Sequence, residues 1–260
     1  MNLALTKRQK IVIAAALLTL GLLFTQTASV FVVRYKMLAG LSLLALLLTL
    51  WSLKDDLTRV KGIVLPILPV LFTLGAASAY FLIEVRWLTR IPALIFFGLS
   101  FYFLLLSENV FNVAAERAIP LYWAASTANF VYTILTSYFL FSVISALDLA
   151  FYLNFLLVGI VSFLLILQVL WSIKMEKITL PCLIYSFFLA VLVGECALAL
   201  SFWPLGVTSW SLILSAVLYA LLGITSEIFK DRLNKRVVGE YVVVGGSVLL
   251  LVILITSWTG

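Results

Sequence analysis

Along this chain, runs of apolar residues recur near the length of 20 that crosses a bilayer as a helix, with short polar loops between them. Such runs leave few folds open. Lipid offers no partner to an open backbone N–H or C=O, so a spanning segment is either a helix or a strand of a closed barrel. Barrel strands alternate polar and apolar positions, and Leu43–Leu50 and Phe163–Leu167 show no alternation. The pattern therefore predicts an all-α integral membrane protein with about nine spans: Ile11–Val33, Tyr35–Leu53, Gly62–Ile83, Arg90–Arg117, Ile119–Leu147, Leu149–Ile173, Ile178–Phe202, Val207–Ile228 and Val237–Trp258. The fourth is apolar only to Leu106 and amphipathic beyond it. Composition agrees: 65% of the residues are hydrophobic and 11% charged, against about 25% charged in soluble domains. One transmembrane domain, 1–260, is expected.

The basic start, with Lys7, Arg8 and Lys10, precedes an apolar run too long for a cleavable signal, whose apolar region is about 7–15 residues. That run reads as the first span. With the N-terminus in the cytoplasm, thirteen Lys and Arg fall in cytoplasmic segments and only Arg34, Lys36, Arg86 and Arg90 fall opposite, in accord with the positive-inside rule. Nine crossings then put the C-terminus outside a cell (inner) membrane. All seven tryptophans, Trp51, Trp87, Trp123, Trp171, Trp203, Trp210 and Trp258, lie near predicted boundaries, as interfacial rings do. Pro92, Pro120 and Pro181 are expected in first turns, while Pro66 and Pro69 should bend the third span.

An internal repeat is also readable. Leu50-Trp51-Ser52-Leu53-Lys54 returns as Leu170-Trp171-Ser172-Ile173-Lys174, the Lys61-to-Pro66 segment as Lys177-to-Pro181, and Ser107-Glu108 as Ser226-Glu227, at offsets of 120, 115 and 119. These suggest repeat units 1–118 and 119–236, with an extra helix over 237–260. Four spans per unit is an even number, so both copies would point the same way, as in parallel-repeat transporters.

Few residues can carry chemistry. There is no histidine, which removes the commonest metal ligand and the usual neutral-pH base. Cys182 and Cys196 share one predicted helix, roughly 21 Å apart, too far for a disulfide. Glu195 is the one acid well inside a span, roughly 10 Å deep. Such a charge usually faces protein or water, and Arg34, Lys36 and Arg86 are its candidate partners. It reads as a proton or cation site, or as a protonated or ion-paired structural residue.

The second cluster is at the cytoplasmic end of the fourth span. Glu108, Asn112 and Glu116 are spaced i, i+4, i+8 and share a helical face, with Asn109 beside them. Glu227 and Asp231 form a similar pair after the eighth span. These groups suit a cation, a lipid headgroup or a basic partner, or they are simply a solvated helix extension. Gln26, Asn129, Asn154 and Gln168 read chiefly as interhelical glue.

The stretch Ser107-Glu-Asn-Val-Phe-Asn-Val-Ala-Ala-Glu-Arg-Ala-Ile-Pro120 resembles small uncharacterised polytopic proteins of bacterial inner membranes. The resemblance implies no activity. Signatures of nucleotide, zinc and hydrolase sites are missing. No cofactor, no metal and no nucleic acid is expected. The expected partners are the lipid bilayer, a small solute or lipid, and a membrane-protein partner or second copy. Binding or transport of a small or amphipathic solute is the first reading, and a structural or assembly subunit is the alternative. An intramembrane enzyme is the least favoured.

Overall fold

The first helix, α1 (Lys7–Thr25), begins with a reciprocal cap: the Thr6 N–H donates to Gln9 Oε1 at 2.9 Å, and the Gln9 N–H donates to Thr6 Oγ1 at 3.4 Å. Two donors that every helix start leaves open are satisfied in this way. The computed structural model describes residues 6–25, 31–82, 87–114, 121–175 and 177–255. The helices that follow are α2 (Phe31–Leu53), α3 (Arg59–Val64), α4 (Ile67–Tyr80), α5 (Trp87–Ala114), α6 (Tyr122–Ala146), α7 (Phe151–Lys174), α8 (Leu180–Leu200), α9 (Val207–Phe229) and α10 (Lys235–Ile255). Among the described residues there is no strand, and nine helical spans are long and apolar enough to cross a membrane, with α3 and α4 counting as one. The chain is an all-α multi-pass membrane protein.

Sequence and structure differ in four places. Phe31–Val33, expected in the first span, belong to α2. The third span loses helical hydrogen bonds at Leu65–Pro66, a turn between α3 and α4 in which both residues keep right-handed helical dihedrals. Neither Pro66 nor Pro69 has an N–H, so the Gly62 and Leu65 carbonyls lose their i+4 donors in succession. Pro92 lies inside α5, past its first turn, because that helix starts at Trp87. Trp171 and Trp210 sit near helix ends along the chain, yet both are buried in protein. Pro120, Arg86, Gln26 and Trp258 fall outside the described residues.

The chain forms two compact units, Met1–Tyr132 and Thr133–Gly260, the division falling within α6. In the first, α1 packs on α2 and α5, α2 on α4, and α4 on α5. Phe72 stacks on Phe97 at 5.9 Å and Phe97 on Phe101 at 6.1 Å, while Tyr132 meets Phe72 edge-on. Each such aromatic pair adds about 0.5–1.5 kcal/mol beyond its buried area. The start of α1 is tied to the single 3-10 turn after α2, Lys54–Asp56, by Lys7 with Asp56 and by Lys10 with Asp55 at 3.1 Å. The two helices therefore form an antiparallel hairpin.

In the second unit α7, α8 and α9 pack on one another, and α10 packs on α9. The α7–α8 seam is close because Gly194 has no side chain: a Cβ there would come within 3.0 Å of the Phe155 carbonyl oxygen. Small residues let helix backbones approach in lipid, where apolar surface gains nothing from burial against another helix. The α9–α10 contact repeats the device, with the Tyr241 ring lying over Gly223. Only 6% of the α10 span is buried.

Candidate functional site

The last carbonyls of a helix have no partner within it, and in hydrocarbon that debt must be met by protein. At the end of α2 it is met by α5: Asn112 Nδ2 donates to the Leu53 carbonyl at 2.9 Å. At the end of α5 it is met by α3: Lys61 Nζ donates to the Asn112 carbonyl at 2.5 Å. A cation at a helix C-terminus also suits the helix dipole. Three elements are thus laced by two side chains, both drawn from buried positions. Asn112 is fully buried and Lys61 is 4% exposed.

The lacing fixes depth. Spans two and four run in the same direction, so with Leu53 level with Asn112, the residues one turn earlier, Thr49 and Glu108, also share a level. Both are fully buried. The Thr49 carbonyl accepts from Ser52 Oγ at 2.9 Å, while Thr49 Oγ1 and Asn112 Oδ1 have no hydrogen-bond partner. A buried acid and hydroxyl thus lie one turn from a buried amide and the amine bonded to its backbone, all at one end of the spans. Ionisable side chains are rare there, because burying either charge without a partner is expensive. Chemically the set brings a carboxyl and an amine into a buried region, and the unpartnered oxygens of Thr49 and Asn112 are acceptors open to a small polar guest.

Of the cluster expected from sequence, Glu108 and Asn112 are brought together, Asn109 is half-buried beside them with its Oδ1 unpartnered, and Glu116 lies outside the described residues. A solvated helix extension does not describe Glu108 and Asn112. In sequence Lys61 reads as a loop charge and as the start of a repeated segment, not as part of this cluster. The signal that could have found it is its position just ahead of an apolar run, inside the span Arg59–Tyr80.

Glu227, the sequence counterpart of Glu108, has a different setting. It pairs with Lys230, 2.9 Å away on the same helix end, and keeps some exposure. Asp231 is exposed, with a φ of 56° just past α9. Ser226 is buried like Ser107, and Ser172 repeats the Ser52 bond by donating to Val169 at 2.7 Å.

Glu195 is exposed on α8, and no ion pair to it exists among the described residues. Of its expected partners, Lys36 is exposed, while Arg86 and the Arg34 side chain lie outside the described residues. Among the neutral polar residues, Asn154 Nδ2 donates to Ser201 Oγ at 3.0 Å, joining the start of α7 to the end of α8, and Ser137 meets Ser215 at 3.3 Å. Asn129, Thr133, Thr136 and Ser137 form a buried polar row along α6. Cys182 and Cys196 are free thiols. No group of three or more His, Cys, Asp or Glu that could hold a metal occurs among the described residues.

A family model described as "Protein of unknown function (DUF5656)" matches residues 53–255, a stretch that contains Lys61, Glu108, Asn112, Glu195 and Glu227. The chain belongs to that family. No curated protein and no solved structure matches it.

Proposed function

We propose that this DUF5656 protein binds a small or amphipathic solute and moves it across the membrane, with the Lys61, Glu108 and Asn112 cluster as its working centre. The observation that carries the reading is the burial of an acid, an amine and an amide together at one end of the first unit. A bundle that only had to stand in lipid would be served by apolar residues there, since buried ion pairs seldom add stability over a well-packed apolar core. The polar row on α6 supports the same reading, because lipid would not accept it. The orientation read from the lysines and arginines places this centre toward the cytoplasm.

The test is solute-driven proton movement in proteoliposomes loaded with a pH-sensitive dye. The panel contains amines, carboxylates, sugars and quaternary ammonium ions. At least one should move protons with the wild-type protein, and Glu108→Gln should abolish that movement. If no solute acts and Glu108→Gln alters only thermal stability, the transport reading fails.

A second reading, a structural or assembly subunit, is favoured by one observation: the Lys61 and Asn112 side chains both end on helix-terminal carbonyls, as a brace would. The nearly uncovered α10 suits it as well.

The internal repeat belongs with the transport reading. Its support is that α2, α4 and α5 pack pairwise, as α7, α8 and α9 do, and that Ser52 and Ser172 make the same bond one turn back. A superposition of α7–α9 on α2–α5 that left Ser172 more than a turn from Ser52 would reject it.

A further inference from the structure

The outer face of the second unit carries an apolar groove with a single acid at one end. The cavity, about 290 Å³, lies along the α7–α8 seam and is lined on one side by Leu156, Gly159 and Ile160 and on the other by Phe187 and Val191. Its volume is near the lower end of the roughly 300–1,000 Å³ typical of small-molecule sites. Leu156, Ile160 and Phe187 are each about half exposed or more, so the groove opens sideways, toward the acyl chains. No polar atom lines it.

Phe187, Val191 and Glu195 are spaced i, i+4, i+8 and so follow one another along a single face of α8. Glu195 therefore stands one turn beyond the groove. It is five residues short of the end of α8 at Leu200, roughly 7.5 Å inside the helix end. The rotation of α8 is not free to turn this acid inward, because Gly194 lies against Phe155 of α7 and Ala197, three residues on, is fully buried. An exposed carboxylate at that depth, with no ion pair among the described residues, is out of place in hydrocarbon unless a cation reaches it.

We propose that this face is a binding site for a cationic amphiphile, the alkyl chain lying in the α7–α8 groove and its ammonium group against Glu195. The two halves of the site fix the ligand class between them. The groove offers only apolar contact and selects a chain, while the acid one turn away selects a positive head. A neutral or anionic amphiphile would leave Glu195 as it is now. The site is built wholly from the second unit and does not depend on the transport role given to Glu108.

The test uses the full-length protein in nanodiscs of zwitterionic lipid, with dodecylamine and dodecanol as probes at neutral pH, where the amine is charged. Wild type should bind the amine at least about tenfold more tightly than the alcohol, the scale of one close charge pair away from water. Glu195→Gln should erase that preference and leave alcohol binding unchanged, and Glu195→Asp should keep part of it. Leu156→Trp, which fills the groove from an exposed position, should weaken both probes. Equal binding of the probes to wild type overturns the proposal. So does a preference that survives Glu195→Gln, or alcohol binding indifferent to Leu156→Trp. A single-lysine transmembrane peptide that associates through Glu195 when no amine preference exists would assign the face to a partner helix instead, and would also overturn it.

Discussion

Lys61 Nζ donates a hydrogen bond to the backbone carbonyl of Asn112 at 2.5 Å, and Asn112 Nδ2 in turn donates to the Leu53 carbonyl at 2.9 Å. The end of α2 is thereby held by α5 and the end of α5 by α3, and Glu108 stands one turn up the same face of α5. From this relationship follow the first two expectations.

Lys61→Met should destabilise the first unit by about 1–3 kcal/mol, the cost of a buried carbonyl that loses its donor. Glu108→Gln alone and the double variant complete a cycle. If the amine and the carboxyl act as one network, the coupling should reach about 1 kcal/mol or more, read from unfolding in detergent. Strict additivity would show that the two groups are merely neighbours.

Asn112→Leu and Asn112→Asp should differ in rank. Leucine removes the donor to Leu53 but also the unpartnered Oδ1, so its net effect should be modest, about 1 kcal/mol. Aspartate removes the donor and adds a charge beside Glu108, and it should be the worse by at least about 1 kcal/mol. Thermal midpoints measured in the same detergent would reverse this order if the Asn112 oxygen faced water.

Glycines on the helix seams should not behave alike. At Gly194 an added methyl meets the Phe155 carbonyl at 3.0 Å, and Gly194→Ala should destabilise the second unit by about 1–3 kcal/mol. At Gly159 the nearest atom is the Ala190 oxygen at 3.8 Å, an ordinary contact, and Gly159→Ala should stay within about 0.5 kcal/mol of wild type. Gly223→Ala drives into the Tyr241 ring and should loosen α10, seen as faster proteolysis in the 230–236 loop. Removing the ring with Tyr241→Ala in the same protein should restore resistance.

The proposed orientation is open to cysteine labelling in intact cells. In a background of Cys182→Ala and Cys196→Ala, Pro204→Cys on the α8–α9 loop should react with a membrane-impermeant maleimide. Leu233→Cys on the α9–α10 loop should react only after permeabilisation. Both positions are exposed in the folded chain. The opposite pattern would invert the topology.

Much of the architecture was legible from sequence because apolar runs and helix-starting prolines are local properties. The nine spans, the first-turn Pro181 and the free thiols needed nothing else. The turn at Pro66 was half legible: two prolines three residues apart announce trouble, but whether a helix bends or ends depends on what supports its open carbonyls. The site was least legible. Glu108 and Asn112 were picked out by their spacing, yet the same spacing fits a helix extension in water, and Lys61 looked like any loop lysine.

What the sequence by itself determined is that this chain lives in lipid as a set of crossing helices, since no other arrangement satisfies the backbone of such apolar runs. What only the tertiary structure decided is the environment of each charge. Lys61 and Glu108 are buried where Asn112 laces α2, α3 and α5 together, while Glu195 is left on the outside because α8 turns Gly194 toward Phe155 of α7. A residue's face on its helix is written in its spacing, but what covers that face is supplied by segments distant in the chain, and close packing alone settles it.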